Sequence, residues 1–177
     1  MRVAVTGTPG TGKTTATDRL ADAWDGAEEL RVVHLNDVIR EEGFHDGADP
    51  DRGSLYADLD ALAGWLDERA DADVELVDSH LAHHLDADRV VVVRCRPDEL
   101  KRRLTDRGET PAKARENAEA EALDVVLAEA VERHGFDAVY EVDATDRSPD
   151  DVADAVAAVV RGEREPSAGT VDFAGYL

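Results

Sequence analysis

The sequence predicts an α/β fold: a five-stranded parallel sheet covered by helices on both faces. Three observations lead there. Five short apolar runs, at residues 2–6, 31–35, 74–77, 90–95 and 138–142, have strand length, and most are rich in valine. Helical patterns stand between them, and a chain that alternates strand and helix builds parallel crossovers. A glycine-rich stretch, Gly7 to Thr14, lies between the first run and the first helix.

Each element has its own local reason. Arg2 to Thr6 reads as a short buried strand, and the helix behind the glycine-rich turn runs from Lys13 to about Trp24. The second strand, 31–35, is followed by Asn36, a good N-cap, which predicts a short helix over 36–42. Residues 43–53 are rich in Gly, Asp and Pro and predict a loop. Within it, Asp49-Pro50-Asp51 lacks the spacing of a calcium loop and reads as solvated surface. Leu55, Leu59, Leu62 and Leu66 recur at helical spacing and predict one helix through all four. The third strand, 74–77, is interrupted by Glu75 and ends at Asp78-Ser79-His80. Residues 90–93 are four valines, the strongest strand signal in the chain. Pro97 opens a helix to Arg107, and Gly108-Glu109-Thr110 is a turn. A long helix is expected from Pro111 to His134, with Leu123, Val126, Leu127 and Ala130 toward the core and Gly135 as its stop. The last strand is 138–142, and the last helix, 148–161, has Ser148 as cap and Pro149 at its first position. The segment after Gly162 ends on Val171, Phe173, Tyr176 and Leu177, and either disorder or docking of that apolar end fits it.

Gly7-Thr8-Pro9-Gly10-Thr11-Gly12-Lys13-Thr14 satisfies G-x-x-x-x-G-K-[ST] in full, in the required strand-to-helix context. In such a P-loop, glycines let successive N–H groups turn inward around phosphate oxygens, and the helix N-terminus adds partial positive charge. The pattern therefore predicts a P-loop NTPase fold that binds ATP with Mg²⁺. Gly10 and Gly12 shape the cradle, Lys13 reaches the β- and γ-phosphates, the Thr14 hydroxyl faces the metal, and Thr15 supports the α-phosphate side. Asp78, at the end of its strand, is where such folds place the carboxylate that holds Mg²⁺ or its water shell. A strand-end cap is the plain alternative for that residue.

The chain has 177 residues, enough for one domain with a proper core, and 42% are hydrophobic. Forty-one acidic residues face 20 basic ones, a formal net charge of -21, and only Lys13, Lys101 and Lys113 are lysines. So acidic a surface, with so little lysine, fits a salt-saturated cytoplasm. It also disfavours a general nucleic-acid surface, which needs clustered cations. No apolar run reaches membrane-spanning length and no signal peptide opens the chain, so a soluble cytoplasmic protein is expected. The single cysteine, Cys95, lies in an apolar run and reads as a buried structural thiol.

Three segments together resemble a known family. The loop Gly7 to Thr15 is similar to that of adenylate kinases. His34 to Glu42 resembles their monophosphate-binding start, and Arg94 to Gly108 resembles their strand, helix and arginine-bearing lid. With Asp78-Ser79-His80 matching an Asp-x-His motif and Glu116-Asn117 through Ala130 resembling the post-lid helix, the nearest likeness is the adenylate kinase isoenzyme six family of archaea and eukaryotes. That resemblance implies a single kinase domain over 1–161, with a monophosphate-binding segment at about 34–56, a short lid at about 107–114, and a tail at 162–177. It implies a broad-specificity nucleoside monophosphate kinase preferring AMP, with ATPase activity, an association with ribosomal protein uS11 and a part in small-subunit rRNA maturation.

By the same resemblance, Asp37 and Arg40 hold the acceptor monophosphate, Arg107 closes onto the ATP phosphates, and Arg103 stacks on the adenine. His80 orients an attacking water or a phosphate-site hydrogen bond. Arg115 is offered an ordinary ion pair by Glu119 and is not assigned to the site. His80-Leu81-Ala82-His83-His84 lacks the glutamate of a zincin motif, so a zinc site there is not expected. The rival function is an assembly ATPase with little kinase activity.

Overall fold

The computed structural model describes residues 1–48 and 55–176. Seven strands and seven α-helices follow along these residues: β1 (Arg2–Thr6), α1 (Lys13–Ala23), β2 (Leu30–His34), α2 (Leu35–Glu42), β3 (His45–Ala48), β4 (Leu55–Ala57), α3 (Leu59–Glu68), β5 (Val74–Asp78), β6 (Arg89–Arg94), α4 (Pro97–Asp106), α5 (Pro111–Ala122), α6 (Val125–His134), β7 (Val139–Asp143) and α7 (Pro149–Val160). Five strands form a parallel sheet in the order β2-β5-β1-β6-β7, and β3 and β4 pair antiparallel on their own. The predicted α/β architecture is therefore the observed one.

The two faces follow from the period-2 alternation of strand side chains. Val3, Val5, Leu76, Val91 and Val93 face α1 and α7, where Ala16, Leu20, Val152 and Val156 complete one core layer. Ala4, Val77, Val90 and Val92 face the other way, onto Val38 and Ile39 of α2, Leu62 and Leu66 of α3, and Leu127 and Ala130 of α6. Valine fits here because its branched side chain packs well on a pleated surface covered on both sides.

The departures from the sequence reading each have a physical cause. Helix α2 begins at Leu35, one residue before the expected cap. Asn36 lies inside it because its Oδ1 is taken by the Ser79 hydroxyl, 3.2 Å away. Leu55 belongs to β4 rather than to the following helix, which starts after Asp58; that carboxylate accepts from the Ala61 N–H at 2.9 Å and caps it. The expected loop over 43–53 contains β3, and Asp49-Pro50-Asp51 lie outside the described residues. The long helix 111–134 is two helices. Asp124 breaks it with a left-handed φ of 55°, a conformation aspartate tolerates, and Leu123 points outward, 60% exposed. Glu75 does not interrupt β5: it is buried and clamped by Arg2 and Arg31 from the neighbouring strands. The caps at Ser148 and Gly135 stand as predicted, Ser148 in a full capping box with Asp151. Residues after Gly162 dock: Ser167, Thr170 and Val171 all bond to β7 through Glu141 or the Val139 carbonyl.

The charge of -21 gives a stability prediction. Carboxylates repel over about 10 Å at 0.1 M salt and only about 3 Å at 1 M. The melting temperature is expected to climb by roughly 10 °C between low and molar KCl, about 3 kcal/mol for a domain of this size. A flat thermal melt across that range would remove the salt-adapted reading of the surface.

Candidate active site

The P-loop leaves β1 where only glycine fits. A Cβ on Gly7 would sit 2.3 Å from the Val93 carbonyl oxygen of β6, and one on Gly10 would press on Leu104 of α4 at 2.7 Å. Gly12 has φ +104° and open space in front of it, with nothing nearer to a Cβ than Arg103 at 4.0 Å. The loop is thus pinned at its back and open at its mouth, where the first-turn N–H groups of α1 lack partners within the helix.

Lys13 is 7% exposed, and its ammonium folds back to donate to the carbonyls of Gly7 at 2.8 Å and Thr8 at 3.0 Å. Burial lowers its pKa to about 8, against the pull of the Asp78 and Glu121 carboxylates. The charge of Arg107, the residue that caps the end of α4, pushes in the same direction as burial. Asp78 closes the opposite side. Its Oδ2 accepts from the Thr14 hydroxyl at 2.7 Å and lies 3.0 Å from His34 Nδ1, while Oδ1 is buried with no partner. An orphaned carboxylate oxygen beside a threonine hydroxyl suits a hard, oxygen-seeking cation such as Mg²⁺, so the donor set fits the predicted metal. His80, half-buried two residues on, is kept neutral by burial first and then by the Lys13 and His84 charges.

Two clefts flank the start of α1. One, of about 340 Å³, is lined by Thr11, Gly12, Thr15, Arg103, Arg107 and Arg147 among others. The other, of about 350 Å³, is lined by Thr14, Asp18, His34, Asn36, Asp37, Arg40 and Asp78. Of the predicted site residues, Gly12, Thr15, Arg103 and Arg107 line the first opening and Thr14, Asp37, Arg40 and Asp78 the second, whereas Gly10, the buried Lys13 and His80 line neither. Arg103 does more than line the first: it donates to Glu99 of its own helix, to the Thr11 carbonyl at 3.3 Å and to the Ala144 carbonyl at 3.0 Å, tying α4 to the P-loop and to the end of β7. Arg40 rests on Asp37 at 3.2 Å, both largely exposed, an ion pair of small worth that an incoming anion can displace. Arg115 pairs with Glu119 at 3.7 Å, as its spacing suggested.

Sequence reasoning missed Glu121 and Arg147. Glu121 accepts from the Thr8 hydroxyl inside the P-loop. It comes from α5, 113 positions away, and only the fold brings it there. Cys95 is buried, its thiol pushed up to about 12 by that burial, as a structural cysteine should be.

Comparison with known proteins bears directly on this site. Residues 3–124 match the AAA domain family. A protein of Natronomonas pharaonis carrying the name "putative adenylate kinase" is 62% identical over the whole of both chains, and one of the same name from Halobacterium salinarum is 59% identical, again over both full lengths. A third so named, from Methanothermobacter thermautotrophicus, is 44% identical over 99% of this chain and 98% of its own. The crystal structure of a sugar kinase from a Janibacter species shares the fold, with a TM-score of 0.57 at 20% identity, covering 90% of this chain and 94% of that one. A complete P-loop before α1, Asp78 across from Thr14, and full-length identity to these archaeal proteins lead to one conclusion: the chain belongs to the archaeal adenylate kinase-like family of P-loop NTPases.

Proposed function

We propose that this protein is a nucleoside monophosphate kinase that moves the γ-phosphoryl group of ATP to AMP, giving two ADP. The observation that supports it best is the pair of clefts at the start of α1, one lined by Gly12 and Thr15 and the other by Thr14 and Asp78. A hydrolase needs one nucleotide pocket; transfer between two nucleotides needs two that meet at the phosphates.

Phosphoryl transfer is catalysed mostly by positioning and charge neutralisation. In this reading the first cleft takes ATP, with Gly10, Gly12 and Thr15 around the phosphates, Arg107 closing on them and Arg103 beneath the base. Lys13 swings from the Gly7 and Thr8 carbonyls to the β- and γ-phosphates. Thr14 and Asp78 would hold Mg²⁺, which would supply positive charge against the phosphates. The second cleft takes AMP, whose phosphate draws Arg40 away from Asp37. Residues 1–161 act as the kinase domain, with the acceptor segment at about 34–56 and the lid at about 107–114. Only Arg107 to Thr110 of that segment lie between α4 and α5, the rest being the first turn of α5, and so short a lid excludes water incompletely. With the His80 imidazole within electrostatic reach of the Lys13 ammonium, this favours a secondary ATPase activity.

Arg40 gives the test. Arg40→Ala is expected to raise the KM for AMP by ten-fold or more, roughly the 1.5–3 kcal/mol of a charge-assisted contact. Hydrolysis of ATP alone should be unchanged. Equal loss of both activities would place Arg40 in the ATP site or in the framework and remove the acceptor cleft from the reading.

A further inference from the structure

Arg94 heads the fully buried side chains by size, at 1% exposure, and touches neither cleft. Two equally buried carboxylates, Glu121 and Glu141, share it: its Nε donates to Glu121 Oε1 at 2.7 Å and its Nη1 to Glu141 Oε1 at 2.5 Å. Its Nη2 adds the Glu121 carbonyl and the half-exposed Asp124 carboxylate, which explains the break between α5 and α6. One buried guanidinium cannot by itself neutralise two buried carboxylates, so their remaining oxygens need other donors.

Those donors come from two distant places. Glu121 Oε2 takes the hydroxyl of Thr8, a position the P-loop pattern leaves free and which is nonetheless 2% exposed here. Glu121 Oε1 also accepts from the Cys95 N–H at 3.1 Å. Glu141 Oε2 takes the C-terminal segment: the Thr170 N–H at 2.7 Å, the Thr170 hydroxyl at 3.3 Å and the Val171 N–H at 3.2 Å. The Phe173 ring then lies over Arg94, 5.3 Å from guanidinium carbon to ring centre.

We propose that the C-terminal segment positions the P-loop for ATP, acting through Glu141, Arg94 and Glu121 on Thr8. The chain of contacts is continuous and fully satisfied, which is the condition under which a buried polar network is rigid. Without Thr170 and Val171, Glu141 keeps its charge but loses every donor on one oxygen. The shared guanidinium then shifts toward Glu141, and its hold on Glu121, and through it on Thr8, weakens. Thr8 contributes one of the two carbonyls on which Lys13 rests, so its placement sets where that ammonium starts. Glu121 and Arg94 are positioning residues in this scheme, and none of the links touches nucleotide.

The inference rests on the P-loop being the ATP site, and titration calorimetry of Mg-ATP against the full chain keeps the two apart. Phe173→Ala removes a half-exposed ring, and Thr170→Pro removes the N–H and the hydroxyl that both donate to Glu141 Oε2; neither residue belongs to the apolar core. Each is expected to weaken ATP binding roughly fivefold, as is Thr8→Val, while Thr8→Ser stays near wild type. The Thr8→Val, Phe173→Ala double variant should be no weaker than either single change, because the path is already cut. Losses that multiply in the double variant, or tail variants that bind like wild type, overturn the positioning role while the ATP site stands. A wild-type chain that binds no ATP overturns both.

Discussion

Lys13→Ala is expected to lower turnover at saturating ATP and AMP by about 10²–10³-fold, the usual cost of losing one preorganised donor to developing phosphoryl charge. Its effect on stability should be small. The wild-type ammonium is buried against two carbonyls, Gly7 and Thr8, and its removal deletes a desolvated charge along with two hydrogen bonds. Wild-type turnover in this variant would separate the P-loop from the chemistry. The same residue sets a pH dependence. Its pKa in the nucleotide-free protein is about 8, below the ordinary 10.5, because burial disfavours the charged form. Polyphosphate favours that form, so the bound-state pKa is higher. ATP affinity is therefore level below pH 8 and falls above it, by up to tenfold per unit, until the bound-state pKa is reached. The folding contribution has the opposite sign. Between pH 8 and 10.5 the unfolded chain holds the proton and the folded one does not, so stability from this group rises with pH. Calorimetric titrations from pH 7 to 9.5 test the binding slope, and Lys13→Ala should flatten it.

What was legible in the sequence was whatever depends on nearest neighbours along the chain. The P-loop spacing, the valine strands, the Ser148 cap and the Gly135 stop are all local signals, and each stands in the structure. What was not legible needed partners brought from elsewhere. Asn36 carries the cap signal, yet its side chain is claimed by Ser79, 43 positions away. Glu75 looks like a flaw in a strand until Arg2 and Arg31 close on it from both neighbouring strands. Asp124 reads as one more surface acid in a helix, and no periodicity shows that Arg94 will pull it into a left-handed turn. The active-site candidates divide the same way. Lys13 and Thr14 come with their motif, whereas Glu121 could have been suspected only as an acid set among alanines on the buried face of α5.

The second large effect is expected at Asp78. Asp78→Asn keeps the shape of the side chain and its contact with the Thr14 hydroxyl but removes the charge. The buried, unpartnered Oδ1 is the feature that matters: a carboxylate oxygen is desolvated there without compensation, a state that a bound cation relieves and an amide cannot reproduce. Loss of metal positioning should reach both reactions, whether AMP or water accepts the phosphoryl group, and we expect each rate to fall by about 10²-fold. His80 separates the two. AMP brings a nucleophile that the acceptor cleft holds, so it gains little from an imidazole. Water has no such anchor and needs orienting, and His80, kept neutral by burial and by the Lys13 charge, can accept its proton or hold it by a hydrogen bond. His80→Ala is thus expected to depress acceptor-free hydrolysis more than ADP formation with AMP, and Asp78→Asn to depress both alike. The two steady-state rates, measured for both variants, decide the matter. A His80→Ala enzyme with both rates intact makes the histidine structural, packed where β5 turns toward the next segment. One with both rates equally reduced places it in the shared phosphate site, and the separation of roles then fails. An Asp78→Asn enzyme that keeps either rate takes the metal away from this carboxylate.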